Sequence, residues 1–434
     1  MPTDTLARAL LAGDRGIAAT LASKLLQPLN DNFVERPWGG RRMQSFKNGA
    51  AGAPAAPDAA KRFGECFEIA ADDADAEARQ YPSRIRLDDG SEVSLPALLE
   101  VHAEVLLGER FVRRHGRRFP LLPKTLDVAE LLSVQGHPEG NTEVYVIIAA
   151  DEGATLRLGF NADVDGADLA ERCAAGRRTQ QRLLDVCGAD VPAPQLQNHL
   201  QPWFANRGAR LDALEDALGA KLGKTRWNEA AALLRSLHAL YWHVLDLMNA
   251  VPARPGAVIN NSTPLRLLAG TGKPASAEVH ALGNTEGREI LALEIRRPGV
   301  TFRAWDNVRF PIRDVDVEAA IGALNLRRTA PEDYVVVPQP VAGRPGVKRS
   351  VVAEHFSIEH LEPTPLASVD VPPSQPHCLH ALEGAVSVYA TDGTLVGRLR
   401  QGDSAIVPIG VGAYRVAADA PAAAVVKVDM PVDG

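Results

Sequence analysis

Three side chains between residues 135 and 143 have the types and spacing of a metal site. In Leu131-Leu132-Ser133-Val134-Gln135-Gly136-His137, the period-two alternation of an extended strand puts Ser133, Gln135 and His137 on one face and Val134 and Gly136 on the other. Pro138, Glu139, Gly140 and Asn141 are turn formers, and Thr142 to Ile148 is a second β-rich run. A hairpin through them brings Glu143, the first acid after the turn, beside His137. An amide oxygen, an imidazole and a carboxylate then face one point, a hard-to-borderline donor set that suits Zn, Mn, Fe or Ni. A Gln-x-His pair alone is more often a hydrogen-bonded histidine, so the rest of the chain decides between the two.

The elements that must position these residues follow from patterning. From Glu289 to Arg296, alternation sets Leu291, Leu293 and Ile295 opposite Ile290, Ala292 and Glu294. Glu294 therefore shares a face with apolar residues, either desolvated or at a barrel mouth, and desolvation raises a carboxyl toward a useful base. Residues 161–250 turn helical, most clearly over Trp227–Met248, whose apolar residues recur at i, i+3 and i+4. A helix is also expected around Pro96–Leu107, and two short ones around Leu6–Leu11 and Ile17–Leu29. Residues 315–350 form a Pro- and charge-rich connection. From Val351 on, short strands alternate with Gly-containing turns such as Thr391–Thr394, the pattern of a second β-barrel.

Composition sets limits on function. A chain of 434 residues suggests two or three domains, and 46% hydrophobic with 23% charged residues is an ordinary globular balance. A net charge of −7 offers no footprint for nucleic acid or an anionic membrane. Cys66, Cys173, Cys187 and Cys378 lack CxxC spacing, so neither a disulfide framework nor a cysteine zinc site is expected. No leader and no apolar run near 18 residues is visible, which leads us to expect a soluble, cytoplasmic protein.

Together, Leu121-Leu122-Pro123-Lys124, Leu132-Ser133-Val134-Gln135-Gly136-His137-Pro138 and Thr142-Glu143-Val144-Tyr145 resemble the metal-site segment of type I phosphomannose isomerases. These are cupins that interconvert mannose 6-phosphate and fructose 6-phosphate. Pro37-Trp38-Gly39-Gly40 resembles the family's opening. Gly64-Glu65-Cys66-Phe67-Glu68-Ile69-Ala70 resembles its Gly-Glu-Ser-Trp-Glu-Ile-Ser, with Cys66 and Phe67 replacing the Ser and Trp. The Ser hydroxyl suits a phosphate and a thiol is a weak donor, so that departure bears on substrate identity.

The resemblance implies zinc held by Gln135, His137 and Glu143, with His280 of Glu278-Val279-His280-Ala281 as fourth ligand. It implies Glu294 as proton-transfer base, Arg303 as phosphate or transition-state cation, and Lys124 as a second cation in the pocket. The implied fold is mainly β: two cupin (jelly-roll) barrels with an α-helical insertion. Residues 1–30 would be an N-terminal helical extension, 31–160 and 251–315 the catalytic cupin, 161–250 the insertion and 316–434 a cupin-like barrel. In that last barrel Gly402 to Ala413 resembles the second cupin motif, with Ala413 at the histidine position, so no metal is expected there. The implied partner is a small sugar phosphate, for which an acidic chain needs a local basic pocket. An isomerase or epimerase acting on another, unphosphorylated sugar, and a non-catalytic sugar-binding cupin, are the alternatives. Two departures stand out: only five residues separate His137 from Glu143, and the segment Ala257–Val279 before His280 is long.

Overall fold

Apolar alternation around the candidate site folds into two antiparallel sheets that share one core. The computed structural model describes residues 5–48, 61–72, 76–137, 142–261 and 278–431. Among them the larger sheet runs in the order Phe33–Gly40, Phe63–Phe67, Lys124–Val128, Ile290–Arg296, Glu143–Ala150, Val258–Asn260, Val335–Val336. The smaller runs Phe302–Trp305, Val134–Gly136, His280–Ala281, Thr155–Phe160, Met248–Pro252. Leu126, Tyr145 and Ile147 of the first and Leu156, Leu158 and Val251 of the second form one buried cluster. Burying side chains of this size stabilises by about 1.5–3 kcal/mol each. Val144, Val146, Leu293 and Ile295 point the other way and pack with the helix Leu95–Leu107. The alternation expected around Glu294 is therefore present, with Ile290 and Ala292 on the inner face.

One expectation is corrected. Val134–Gly136 and Glu143–Ala150 do not form a hairpin: the first pairs with His280–Ala281 and Phe302–Trp305, the second with Val258–Asn260 and Ile290–Arg296. The chain changes sheet between them, and the turn formers 138–141 lie outside the described residues. A local turn signal does not distinguish a return along the same sheet from a crossing to the facing one.

A second pair of sheets follows the same plan. One runs Gln339–Pro340, Val347–Val352, Ser357–Leu361, Ala424–Asp429, His377–Glu383, Ser404–Val407; the other Val369–Val371, Tyr414–Ala418, Ala385–Ala390, Leu395–Arg400. Leu361, Leu379, Val388, Leu399 and Val416 form their shared core.

Between Thr155–Phe160 and Met248–Pro252 lie the helices Gly166–Cys187, Ala193–Ala205 and Ala220–Asp246. The last begins seven residues before the expected Trp227, and Gly223, at φ 71° and ψ 162°, breaks it into a short first piece carrying the buried Leu222 and a long second piece. These helices pack a large core against the smaller sheet, with Val134, Phe160 and Trp305 in it, so the fold is mixed α and β rather than mainly β. The N-terminal helices are Leu6–Leu11 and Arg15–Ala22, the second ending earlier than expected because Leu26 and Pro28 bridge to Ile406 and Ile85 in extended conformation. Among the described residues no helix is long and apolar enough to cross a membrane.

Candidate metal centre

His137 follows the Val134–Gly136 strand in one sheet, and Glu143 opens the Glu143–Ala150 strand in the other. His280 stands opposite Gln135 in register. From these separate strands the side chains meet. His137 Nε2 lies 2.7 Å from Glu143 Oε1, and His280 Nε2 lies 3.4 Å from Glu143 Oε2. The two imidazoles stack, centroids 4.9 Å apart. One donor atom from each of His137, Glu143 and His280 falls within 4.8 Å of the others, all three residues are buried, and this triad could bind a metal. Gln135 adjoins it, with Nε2 3.0 Å from His280 Nε2 and Oε1 accepting from Ser133 Oγ at 2.8 Å. Long-range pairing thus brings together all four expected ligands, and places His137 and Glu143 side by side without the hairpin.

Hydrogen-bond partners set the chemistry of the rings. His137 Nδ1 faces the Val300 carbonyl at 3.3 Å and His280 Nδ1 the Glu278 carbonyl at 3.0 Å. A carbonyl only accepts, so Nδ1 of each ring can carry a hydrogen, which would leave each Nε2 a lone pair to offer a metal. Two imidazole nitrogens and a carboxylate oxygen converging in a buried space are a donor set that a divalent metal fits. Burial pushes Glu143 up, but the His137 and His280 rings outweigh it and hold the carboxyl well below the usual range. Burial pushes His280 down to about 4. An ionised carboxylate and a neutral imidazole are the forms that ligate.

A cavity of about 500 Å³ opens beside this cluster, with Gln135, Glu143, Glu294, Lys124 and Arg303 in its wall. Glu294 is 7% exposed and its Oε2 has no hydrogen-bond partner. Lys124 Nζ is 3.9 Å away and Arg296 Nε 3.8 Å. Burial first, and the negative charge of Glu143 second, push the Glu294 carboxyl up to about 8. Lys124 sits 4.8 Å over the Phe67 ring and 3.8 Å from Glu65 Oε1. Arg303 is opposite Gln135 in register. Farther out, Arg36 pairs with Glu65 at 2.6 Å, and Asp306 pairs with Arg309 at 3.2 Å and with Arg313.

Two positions read differently in three dimensions. Cys66 is fully buried with Met43, Phe46 and Leu291, on the opposite face of its strand from Glu65 and away from the cavity, so its thiol replaces no phosphate donor in the wall. Arg296, Tyr145 and Asn261 escaped sequence reasoning. Arg296 and Tyr145 each lie two residues beyond an acid on the same strand face, a signal that was available. Asn261 gave none, because only the pairing of Val258–Asn260 with Glu143–Ala150 brings it to the site.

Residues 26–154 match the family model described as phosphomannose isomerase type I, catalytic domain. The fold is similar to that of the mannose 6-phosphate isomerase from Bacillus subtilis, at 18% identity and a TM-score of 0.59 over 94% of this chain and 99% of that one. A mutant of phosphomannose isomerase from Salmonella typhimurium gives 15% identity and a TM-score of 0.59, with the same coverage. A mannose 6-phosphate isomerase bound with zinc and yttrium gives 15% and 0.58, again over 94% and 99%. No curated protein matches the chain by sequence. Residues 26–154 are thus similar to the catalytic domain of type I phosphomannose isomerases, and the fold of the chain is similar to theirs.

Proposed function

We propose that the protein is a metal-dependent aldose–ketose isomerase interconverting mannose 6-phosphate and fructose 6-phosphate. The observation that supports this most is that Glu294, a buried carboxyl with an unpartnered oxygen, shares one cavity with Gln135 and Glu143. In this reading the first sheet pair, residues 31–160 and 251–315, is a catalytic cupin barrel. Residues 161–250 are a helical insertion, 316–434 a second cupin-like barrel, and 1–30 an N-terminal extension.

Gln135, His137, Glu143 and His280 would hold zinc, with Mn, Fe or Ni as other candidates. When bound, such a cation polarises the carbonyl and hydroxyl oxygens at C1 and C2 of the sugar. Glu294 takes the proton from C2 of the aldose and returns it to C1, while the hydroxyl hydrogen passes from O2 to O1. A carboxyl raised toward the working pH is a strong base once ionised. Lys124 and Arg303 bring positive charge to the enediolate and the phosphate, and in a dry cavity that charge acts more strongly than in water.

A coupled assay on zinc-loaded protein tests the reading, with turnover of mannose 6-phosphate and none of mannose expected. The Arg36–Glu65 and Asp306–Arg309 pairs already neutralise outer arginines, which favours an unphosphorylated sugar as second reading. Turnover of mannose alone would select it. Metal uptake without turnover of either sugar would leave a binding protein.

A further inference from the structure

We infer that Tyr145 and Asn261 are positioning residues for the metal, holding one oxygen of Glu143 so that the other remains for the cation. The inference rests on the metal-site reading above. Glu143 Oε2 accepts from the Tyr145 hydroxyl at 2.6 Å and from Asn261 Nδ2 at 3.1 Å, while Oε1 faces His137 Nε2 at 2.7 Å. Two donors on one oxygen fix the plane of the carboxylate. A carboxylate without them is free to rotate and to offer either oxygen.

Both donors are themselves held. Tyr145 is 1% exposed among Leu126, Ile147 and Ile290, and stands opposite Glu294 on the neighbouring strand. Asn261 is fully buried, its backbone nitrogen donates to the Glu143 carbonyl at 2.9 Å, and its own carbonyl accepts from the Glu278 nitrogen at 3.1 Å. One asparagine thus ties the strand of Glu143 to the approach to His280, and two ligands from distant stretches keep their relative orientation through it. Neither side chain is in the cavity wall, so their removal acts on the ligands and leaves substrate contacts in place.

The test is zinc affinity by chelator competition, with the absorption spectrum of the cobalt-substituted protein as second readout. Tyr145→Phe, which keeps the ring in its apolar setting, and Asn261→Ala should each lose roughly 10–100-fold in zinc affinity and shift the cobalt bands. Ile147→Val on the same strand should change neither. Wild-type affinity and spectrum in both variants overturn the inference, as does an equal loss in Ile147→Val, which would make the effect one of packing. If the wild-type protein takes up no metal, the metal-site reading itself fails, a result distinct from either.

Discussion

Glu143 and Glu294 are buried carboxyls that influence one another, and their neighbours drive their proton affinities apart. Two imidazoles hold the first ionised, while burial and the first carboxylate push the second up to about 8. Such divergence separates a ligand from a proton-transfer group. The groups facing Glu294 are Lys124 and Arg296, which lower it, and Glu143 and Glu65, which raise it. A base works only when deprotonated, so kcat/KM should rise with pH along a limb at or below about 8. A bound divalent cation moves that limb downward, because positive charge favours the carboxylate. Glu294→Gln should remove the limb and cost ~10²–10⁴ in rate while metal content stays at the wild-type level; a retained limb assigns it to another group. Proton uptake here also favours the folded state, so this carboxyl's contribution to stability is present at low pH and is lost as pH rises from 4.5 toward about 8. For the ligands, Gln135→Ala or His137→Ala should abolish both bound metal and turnover, and unchanged metal content would refute their assignment. That Gln135 and His137 share a face was legible because a strand's alternation is local. Asn261 was not, since nothing within its own stretch announces the partner strand.

Elements carry the next level of specification. Strand and helix positions were readable from periodicity, but the sheet each strand joins was not, as the crossing after His137 shows. Pairing is decided by distant segments such as His280–Ala281, and turn residues carry no information about them. The same limit hid the joint between the two sheet pairs. Lys47, fully buried at the end of the short helix Arg42–Phe46, meets Glu68 Oε1 at 2.6 Å and donates to Asn30 Oδ1 and the Gly402 carbonyl, both at 2.8 Å. Glu68 Oε2 accepts from Ser404 Oγ at 2.8 Å, and its other oxygen from Thr125 Oγ1 at 2.5 Å. Glu68 therefore belongs to a buried link between the Phe63–Phe67 and Ser404–Val407 strands, although its motif reads in sequence as part of the site. Lys47→Met strands a buried carboxylate and should destabilise by ~3–5 kcal/mol. Urea unfolding measures this, and zinc content of the folded variant should match the wild type.

At the scale of the molecule, the two sheet pairs repeat one another residue by residue at the site, with inverted charge. In the first pair Glu294 is opposite Lys124 on one side, and its neighbour Arg296 is opposite Glu143 on the other. In the second, the corresponding ladder sets Lys427 opposite Glu359 and Asp429 opposite His377. Val371 stands opposite Tyr414 as Gln135 does opposite His280. His377 Nε2 meets the Tyr414 hydroxyl at 2.6 Å, where Glu143 meets His280 in the first pair. Glu359, Lys427 and Asp429 thus occupy the places of Lys124, Glu294 and Arg296, each with the opposite sign. The result closes on itself: Glu359 accepts from Arg344 and Arg349 at 2.7 Å each, and Lys427 lies 3.7 Å from Glu359 and in contact with Asp429. Burial pushes His377 down to about 4, so it adds no positive charge near neutrality. The ammonium of Lys427 is then the inner cation of this pair, supplied by the chain itself. Lys427→Met should cost ~3 kcal/mol, the low end for a broken buried pair because Glu359 keeps its two arginines. Zinc content and turnover in the first pair should stay at wild-type values while the urea midpoint falls. If turnover falls at an unchanged midpoint, the second pair takes part in the reaction and the inverted charges serve it directly.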